Sequence, residues 1–143
     1  MMMSFPQAAT SDILKIAFPI KTIQIDPQKI DDMYSMTIVN QLYARLFKYT
    51  PDGQIRVDLV EKWKVSTDKT VYNFKLKRSH FSNGVLITSE HVVNSLKRIF
   101  LLKTALSSDL SFIKGAKKFK KTGRVQDLKI YAVDKKTLII ETE

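Results

Sequence analysis

The order of elements within residues 59–98 constrains the fold of this chain most. Residues 72–76 alternate apolar and polar side chains, which predicts a strand with one buried face. Asn83-Gly84 then supplies the left-handed backbone position that a tight turn needs. Thr88 stands where an N-cap residue would begin a helix. The segment therefore predicts a strand, a turn and a helix in succession.

The predicted helix after Thr88 carries one apolar stripe. Glu90 lies in its first turn, where the helix dipole favours an acidic side chain. The apolar residues recur at helical spacing, and they are Val92, Val93, Leu96, Ile99 and Phe100. This stripe predicts that one side of the helix packs on a core.

The rest of the chain is predicted to add further strands and helices. A strand is predicted over residues 13–18, ended by Pro19, and a hairpin over residues 128–142. A short amphipathic helix is predicted over residues 112–121, ending near Gly123. A further helix is predicted from the apolar stripe Met36, Val39, Leu42, Tyr43 and Leu46, followed by the turn Pro51-Asp52-Gly53. The expected fold class is mixed α/β, of the α+β kind, with Trp63 as a buried anchor.

The composition excludes several kinds of chemistry. A length of 143 residues with 44% apolar residues suits one globular domain. The absence of cysteine excludes disulfides, thiolate metal sites and a thiol nucleophile. The two histidines, His80 and His91, lack metal-site spacing, and the four glycines form no phosphate-binding loop. We therefore expect neither an enzyme nor a cofactor.

The net charge of +10 leaves two interpretations open. A basic cluster could bind nucleic acid, or it could be a solvated surface; its members are Lys114, Lys117, Lys118, Lys120, Lys121 and Arg124. Phe112 and Phe119 lie seven residues apart, which is core spacing on a helix rather than a base-stacking platform. Nucleic-acid binding is therefore the less favoured interpretation.

Eight short sequence blocks occur in a fixed order along most of the chain. They comprise residues 25–27, the predicted helix 35–46, Asp52-Gly53, residues 59–66, 72–77, 81–84 and 88–93, and a last block made of residues 113–116, 128–130 and 133–138. Their order resembles that of the family 5 extracellular solute-binding proteins, the peptide- and nickel-binding components of bacterial ABC importers. Val57, Val60 and Asn83 depart mildly from the family pattern.

The resemblance implies the N-terminal part of a periplasmic-binding-protein-like type II fold. Family members are several times longer, and they hold the ligand between two lobes. Residues 1–12 would be a flexible tail, 13–47 the first strand and helix of lobe I, and 48–143 most of its small insert subdomain, with lobe II absent. The chain would accordingly be a cut through a larger fold.

The resemblance also implies a ligand site, and its alternative stays open. Asp31, Asp32, Met33 and Tyr34 align with a segment that lines the cleft in oligopeptide-binding relatives, where main-chain groups bind an extended peptide. The alternative is a helix lead-in that Asp32 caps. The implied partners are a peptide or other small solute and an ABC permease, and we expect a periplasmic or extracellular monomer.

Two other functions remain as alternatives to a solute-binding protein. One is a basic nucleic-acid-binding module centred on residues 114–124. The other is an inactive truncated product, in which residues 13–18 and 138–140 would expose strand edges and cause aggregation.

Overall fold

A computed structural model of the chain describes residues 15–143. Its helices and strands are α1 (Met33–Leu42), β1 (Phe47–Tyr49), β2 (Ile55–Val57), β3 (Val60–Val65), β4 (Val71–Leu76), α2 (Ser89–Leu102), α3 (Ala105–Asp109), α4 (Ala116–Thr122), β5 (Ile130–Ala132) and β6 (Thr137–Glu141). A short 3-10 helix, Val125–Asp127, precedes β5. The predicted mixture of α and β elements is confirmed. The predicted tail 1–12 and residues 13 and 14 lie outside the described residues.

The main sheet has four antiparallel strands in the order β3-β4-β6-β5. Trp63, Phe74 and Leu138 lie opposite one another across its first three strands. The predicted hairpin over residues 128–142 is confirmed as β5 and β6. Because β6 is an interior strand, the expectation that residues 138–140 would expose an edge is wrong.

One face of this sheet forms the core together with α2 and α4. Its buried side chains come from both layers, and they include Phe74, Leu76, Ile130 and Leu138 from the sheet and Val93, Phe100 and Phe119 from the helices. Phe100 and Phe119 meet edge to face, with ring centroids 5.7 Å apart. The predicted stripe of α2 is thus confirmed as a core-facing surface for Val92, Val93, Leu96 and Phe100, whereas Ile99 is only half-buried and is not part of this core.

A separate two-stranded hairpin, β1 and β2, precedes the main sheet. The predicted turn at Pro51-Asp52-Gly53 joins these strands, and Gly53 has a positive φ of +80°. The strands themselves are three residues each, which is too short for alternation to reveal them.

The predicted first strand is not found in the described residues. Residues 15–18 form no strand, and Ile16 is exposed. A strand is defined by hydrogen bonds to a neighbour, and no described strand pairs with this segment.

The predicted stripe of the first helix is only partly correct. Val39 is buried, but Met36 and Leu42 are exposed. The helix ends at Leu42, and Tyr43 adopts an extended conformation with φ −117° and ψ 131°. The extended backbone carries Leu46 away from the helix axis and onto the sheet core, so it never joins the stripe.

Two aromatic predictions also need correction. Trp63 is 51% exposed rather than buried, because it lies on the edge strand β3, and the ring of Phe47 packs against it at 5.5 Å between centroids. Phe112 is exposed as well, because α4 begins only at Ala116, whereas Phe119 is in the core as predicted. Gly123 ends α4 with a left-handed φ of +70°, as predicted.

Candidate ligand-binding site at the start of the first helix

Asp32 caps α1, as the helix lead-in interpretation predicted. Its Oδ1 accepts hydrogen bonds from the amides of Tyr34, at 2.9 Å, and Ser35, at 2.8 Å. Hydrogen bonds from Ser35, and more weakly from Tyr34, hold the pKa of the Asp32 carboxyl below its usual range. The carboxylate of Asp32 is therefore engaged in capping α1.

The other three predicted site residues differ in their exposure to solvent. Met33 is 73% exposed, and Asp31 is exposed beside it. Tyr34 is half-buried, with its ring 5.6 Å from that of Phe18. The geometry leaves Asp31 and Met33 accessible to a ligand while Asp32 fixes the backbone between them. Ligand binding by these four residues stays a prediction.

Buried polar contacts join this loop to the segment before it. The amide of Gln24 donates to the hydroxyl of Ser35 at 2.9 Å, and Ser35 is fully buried. Gln28 is also buried, and its side-chain amide reaches Ser95 on α2. These polar residues were not identified from the sequence, although Asp26, two residues before Gln28, lies in one of the blocks that carried the resemblance.

A cavity of about 540 Å³ lies between the end of α1, the start of α2 and the loop at residues 80–82. Its walls are mainly apolar and include Val39, Leu42, Leu59, Ile87, Val92 and Leu96. His80 and His91 line the same cavity. Its volume falls within the range of small-molecule pockets, which is roughly 300–1,000 Å³.

His91 has a structural role at the start of α2. Its Nδ1 accepts a hydrogen bond from the amide of Thr88, the N-cap residue, at 3.0 Å. The ring packs edge to face on Phe81, with centroids 5.1 Å apart. Within residues 15–143 no group of three His, Cys, Asp or Glu side chains is placed to hold a metal ion.

Ion pairs engage four of the six cations in the basic cluster. Lys114 pairs with Glu141 at 3.1 Å and Lys117 with Glu143 at 3.0 Å. Asp127 accepts both Lys118, at 3.0 Å, and Arg124, at 3.7 Å. Because Phe119 is buried, it cannot stack on a base. This arrangement resembles a charge-paired surface more than a nucleic-acid platform.

Of the helices between residues 15 and 143, none is long and apolar enough to span a lipid bilayer.

The family of bacterial extracellular solute-binding proteins, family 5 (middle region), matches residues 54–143. The chain belongs to this family. The family 5 match covers the hairpin strand β2, the whole main sheet and helices α2 to α4. A comparison with curated proteins finds none that matches the sequence.

Solved structures of similar proteins agree with the family 5 assignment. A periplasmic oligopeptide-binding protein from Borrelia burgdorferi is 32% identical, with a TM-score of 0.75 over 84% of this chain and 25% of that one. Peptide-bound OppA from Listeria monocytogenes is 31% identical, with a TM-score of 0.76 over 83% and 24%. An oligopeptide ABC transporter substrate-binding domain from Bacillus anthracis is 28% identical, with a TM-score of 0.76 over 83% and 24%.

These comparisons confirm the predicted family and the mixed α/β fold. The chain spans about a quarter of the length of the solved structures that it matches. The members of the family are bacterial extracellular solute-binding proteins.

Proposed function

We propose that this chain is a part of the substrate-binding component of a bacterial ABC importer, and that its ligand is a peptide. The observation that carries the proposal is the family 5 match together with the likeness to two oligopeptide-binding proteins at 31% and 32% identity. Binding and delivery, without catalysis, is the corresponding activity.

The proposed contact with the peptide is the loop formed by Asp31, Asp32, Met33 and Tyr34. Main-chain groups of this loop would hydrogen-bond an extended peptide, as an added strand does. Asp32 would act indirectly, because its carboxylate already caps α1. The exposed Met33 offers apolar contact, and the exposed Asp31 offers a carboxylate for a ligand cation.

The proposed organisation places residues 13–47 in lobe I and residues 48–143 in its small insert subdomain. A second lobe, not represented among the described residues, would close over the ligand by a hinge motion. The assembled protein would be a periplasmic or extracellular monomer that delivers its ligand to a membrane permease. The chain by itself should bind peptide weakly, because a pocket normally surrounds most of its ligand.

A titration followed by nuclear magnetic resonance tests this proposal at the weak affinities expected. Mixed short peptides are added to the ¹⁵N-labelled chain, and an equal concentration of free amino acids serves as the ligand control. We expect saturable shifts of the amides at residues 31–34 with peptides only.

Variants then locate the binding surface. Met33→Ala should reduce the response, whereas Ile55→Ala should not, because Ile55 is similarly exposed but lies on the β1–β2 hairpin. The proposal is wrong if no saturable shift occurs, or if shifts spread equally over exposed apolar residues such as Ile55.

A further inference from the structure

Asp26 and Arg98 form an ion pair between segments that are 72 residues apart in the sequence. The guanidinium donates from Nη1 to Oδ1 at 2.9 Å and from Nη2 to Oδ2 at 2.7 Å. The pair is the shortest salt bridge within residues 15–143. Two parallel hydrogen bonds of this kind fix orientation as well as distance.

Gln28 extends the ion pair into the interior. Its Oε1 accepts from Nη1 of Arg98 at 2.9 Å, and its Nε2 donates to the carbonyl of Ser95 at 2.7 Å and to the Ser95 hydroxyl at 3.1 Å. The side chain is only 6% exposed, so a lost partner could not be replaced freely by water. The segment before α1 is thereby joined to one face of α2.

The same segment is connected to the proposed ligand loop. The amide of Gln24 donates to Ser35, and the amide of Ser35 donates to Asp32, which caps α1. Because the amide of Asp26 also donates to Oε1 of Gln24 at 2.9 Å, a chain of hydrogen bonds runs from Arg98 on α2 to the loop at residues 31–34.

The other end of α1 is fixed independently. Asp58 accepts from the amide of Arg45 at 2.9 Å, and the amide of Leu59 donates to the Arg45 carbonyl at 2.8 Å. The far end is thus held by contacts that do not involve Arg98.

We propose that Asp26, Gln28 and Arg98 form a latch that positions the ligand loop, residues 31–34, relative to α2 and the main sheet on which α2 packs. Arg98 is a positioning residue that acts through Asp26 and Gln28 and touches no ligand. The role of the loop as the peptide contact rests on the proposed function, whereas the latch itself does not.

An isolated surface salt bridge contributes little to stability, and the latch must therefore be tested by its local effect. Hydrogen exchange of single amides provides this measurement without any peptide. Arg98→Met keeps the aliphatic stem and removes every donor. Arg98→Lys keeps the charge but loses the two-pronged geometry, and Arg124→Met is the matched control on a weaker pair.

In Arg98→Met we expect the amides of Gln24 and Ser35 to exchange about tenfold faster, with the amide of Phe74 on β4 unchanged. Arg98→Lys should restore part of the protection, and Arg124→Met should leave all three amides as they were. Unchanged exchange at Ser35 would overturn the latch. Equal acceleration at Phe74 would also overturn it, because that result means a general loss of stability.

Asp26→Asn provides a second variant in case Arg98→Met does not fold. It keeps the size of the side chain and one acceptor oxygen, so the effect at Gln24 and Ser35 should be smaller but in the same place. The peptide titration of the original chain, set beside the exchange data, separates the two proposals. If hydrogen exchange confirms the latch but the original chain shows no saturable shifts with peptides, only the proposed function is refuted.

Discussion

Replacement of Gly115 by alanine is expected to destabilise the fold by steric overlap with the backbone. Gly115 has φ +87° and precedes α4. A Cβ atom there would overlap the carbonyl oxygen of Asp127 and lie 2.9 Å from its carbonyl carbon. Neither backbone can easily retreat, because the amide of Lys129 donates to the Lys114 carbonyl at 3.0 Å and the amide of Lys114 donates to the Glu141 carbonyl at 2.9 Å.

The expected loss has two parts. A left-handed backbone costs a non-glycine residue roughly 1–2 kcal/mol. Forcing an extra methyl group into a packed contact adds about 1–3 kcal/mol. Gly123→Ala is the matched control, since Gly123 has φ +70° but nothing within 4 Å of a Cβ atom. We therefore expect Gly115→Ala to lose about 2–5 kcal/mol and Gly123→Ala only about 1–2 kcal/mol.

Urea denaturation followed by far-ultraviolet circular dichroism measures this difference. Both variants should unfold with the slope of the original chain, so that the midpoints report stability. Losses that agree within about 0.5 kcal/mol would refute the reasoning, because the overlap with Asp127 would then cost nothing.

Three further changes test other parts of the structure. Asp32→Ala should lose the cap of α1, seen as faster hydrogen exchange of the α1 amides, whereas Asp31→Ala, at the exposed neighbouring position, should leave this exchange nearly unchanged. Arg98 lowers the pKa of Asp26 to about 2, so the stabilisation by this carboxylate is complete above about pH 4 and is lost as the pH falls toward 2. The difference in unfolding free energy between the original chain and Asp26→Asn should accordingly shrink over that interval, and a constant difference would contradict the ion pair. Phe100→Ala should cost about 3–5 kcal/mol in urea denaturation, while Phe112→Ala, at an exposed position, should stay within about 0.5 kcal/mol.

The segment from Leu59 to Arg98 was predictable because its signals are local. Alternation over residues 72–76 and the stripe of α2 each reflect one buried face, and the structure buries both faces in the same core. The glycine turn also follows from sequence, since Gly84 has φ +84°. Four of the eight blocks that resemble family 5 lie within this segment.

The prediction that Trp63 is buried was wrong, and the cause cannot be read from the local sequence pattern. Its cross-strand partner Phe74 is buried, and the two side chains share a face of the sheet. Burial differs because Phe74 lies on an interior strand and Trp63 on an edge strand. Strand order is a property of long-range pairing, so hydrophobicity alone could not place the indole.

In the candidate site too, local sequence predicts the short-range polar contacts but not the long-range ones. Asp32 was predictable as a cap, because an N-cap bonds amides two and three residues away. Arg98 was not predictable as the partner of Asp26, because an arginine on the exposed side of an amphipathic helix has no sequence signal for a partner 72 residues away. Gln28 is a second example. Glutamine at a loop position predicts exposure, but Gln28 is buried, because α2 and Arg98 satisfy both ends of its side-chain amide. Local sequence therefore specifies how each end of the loop is built, and the contact with α2 decides where the loop is held.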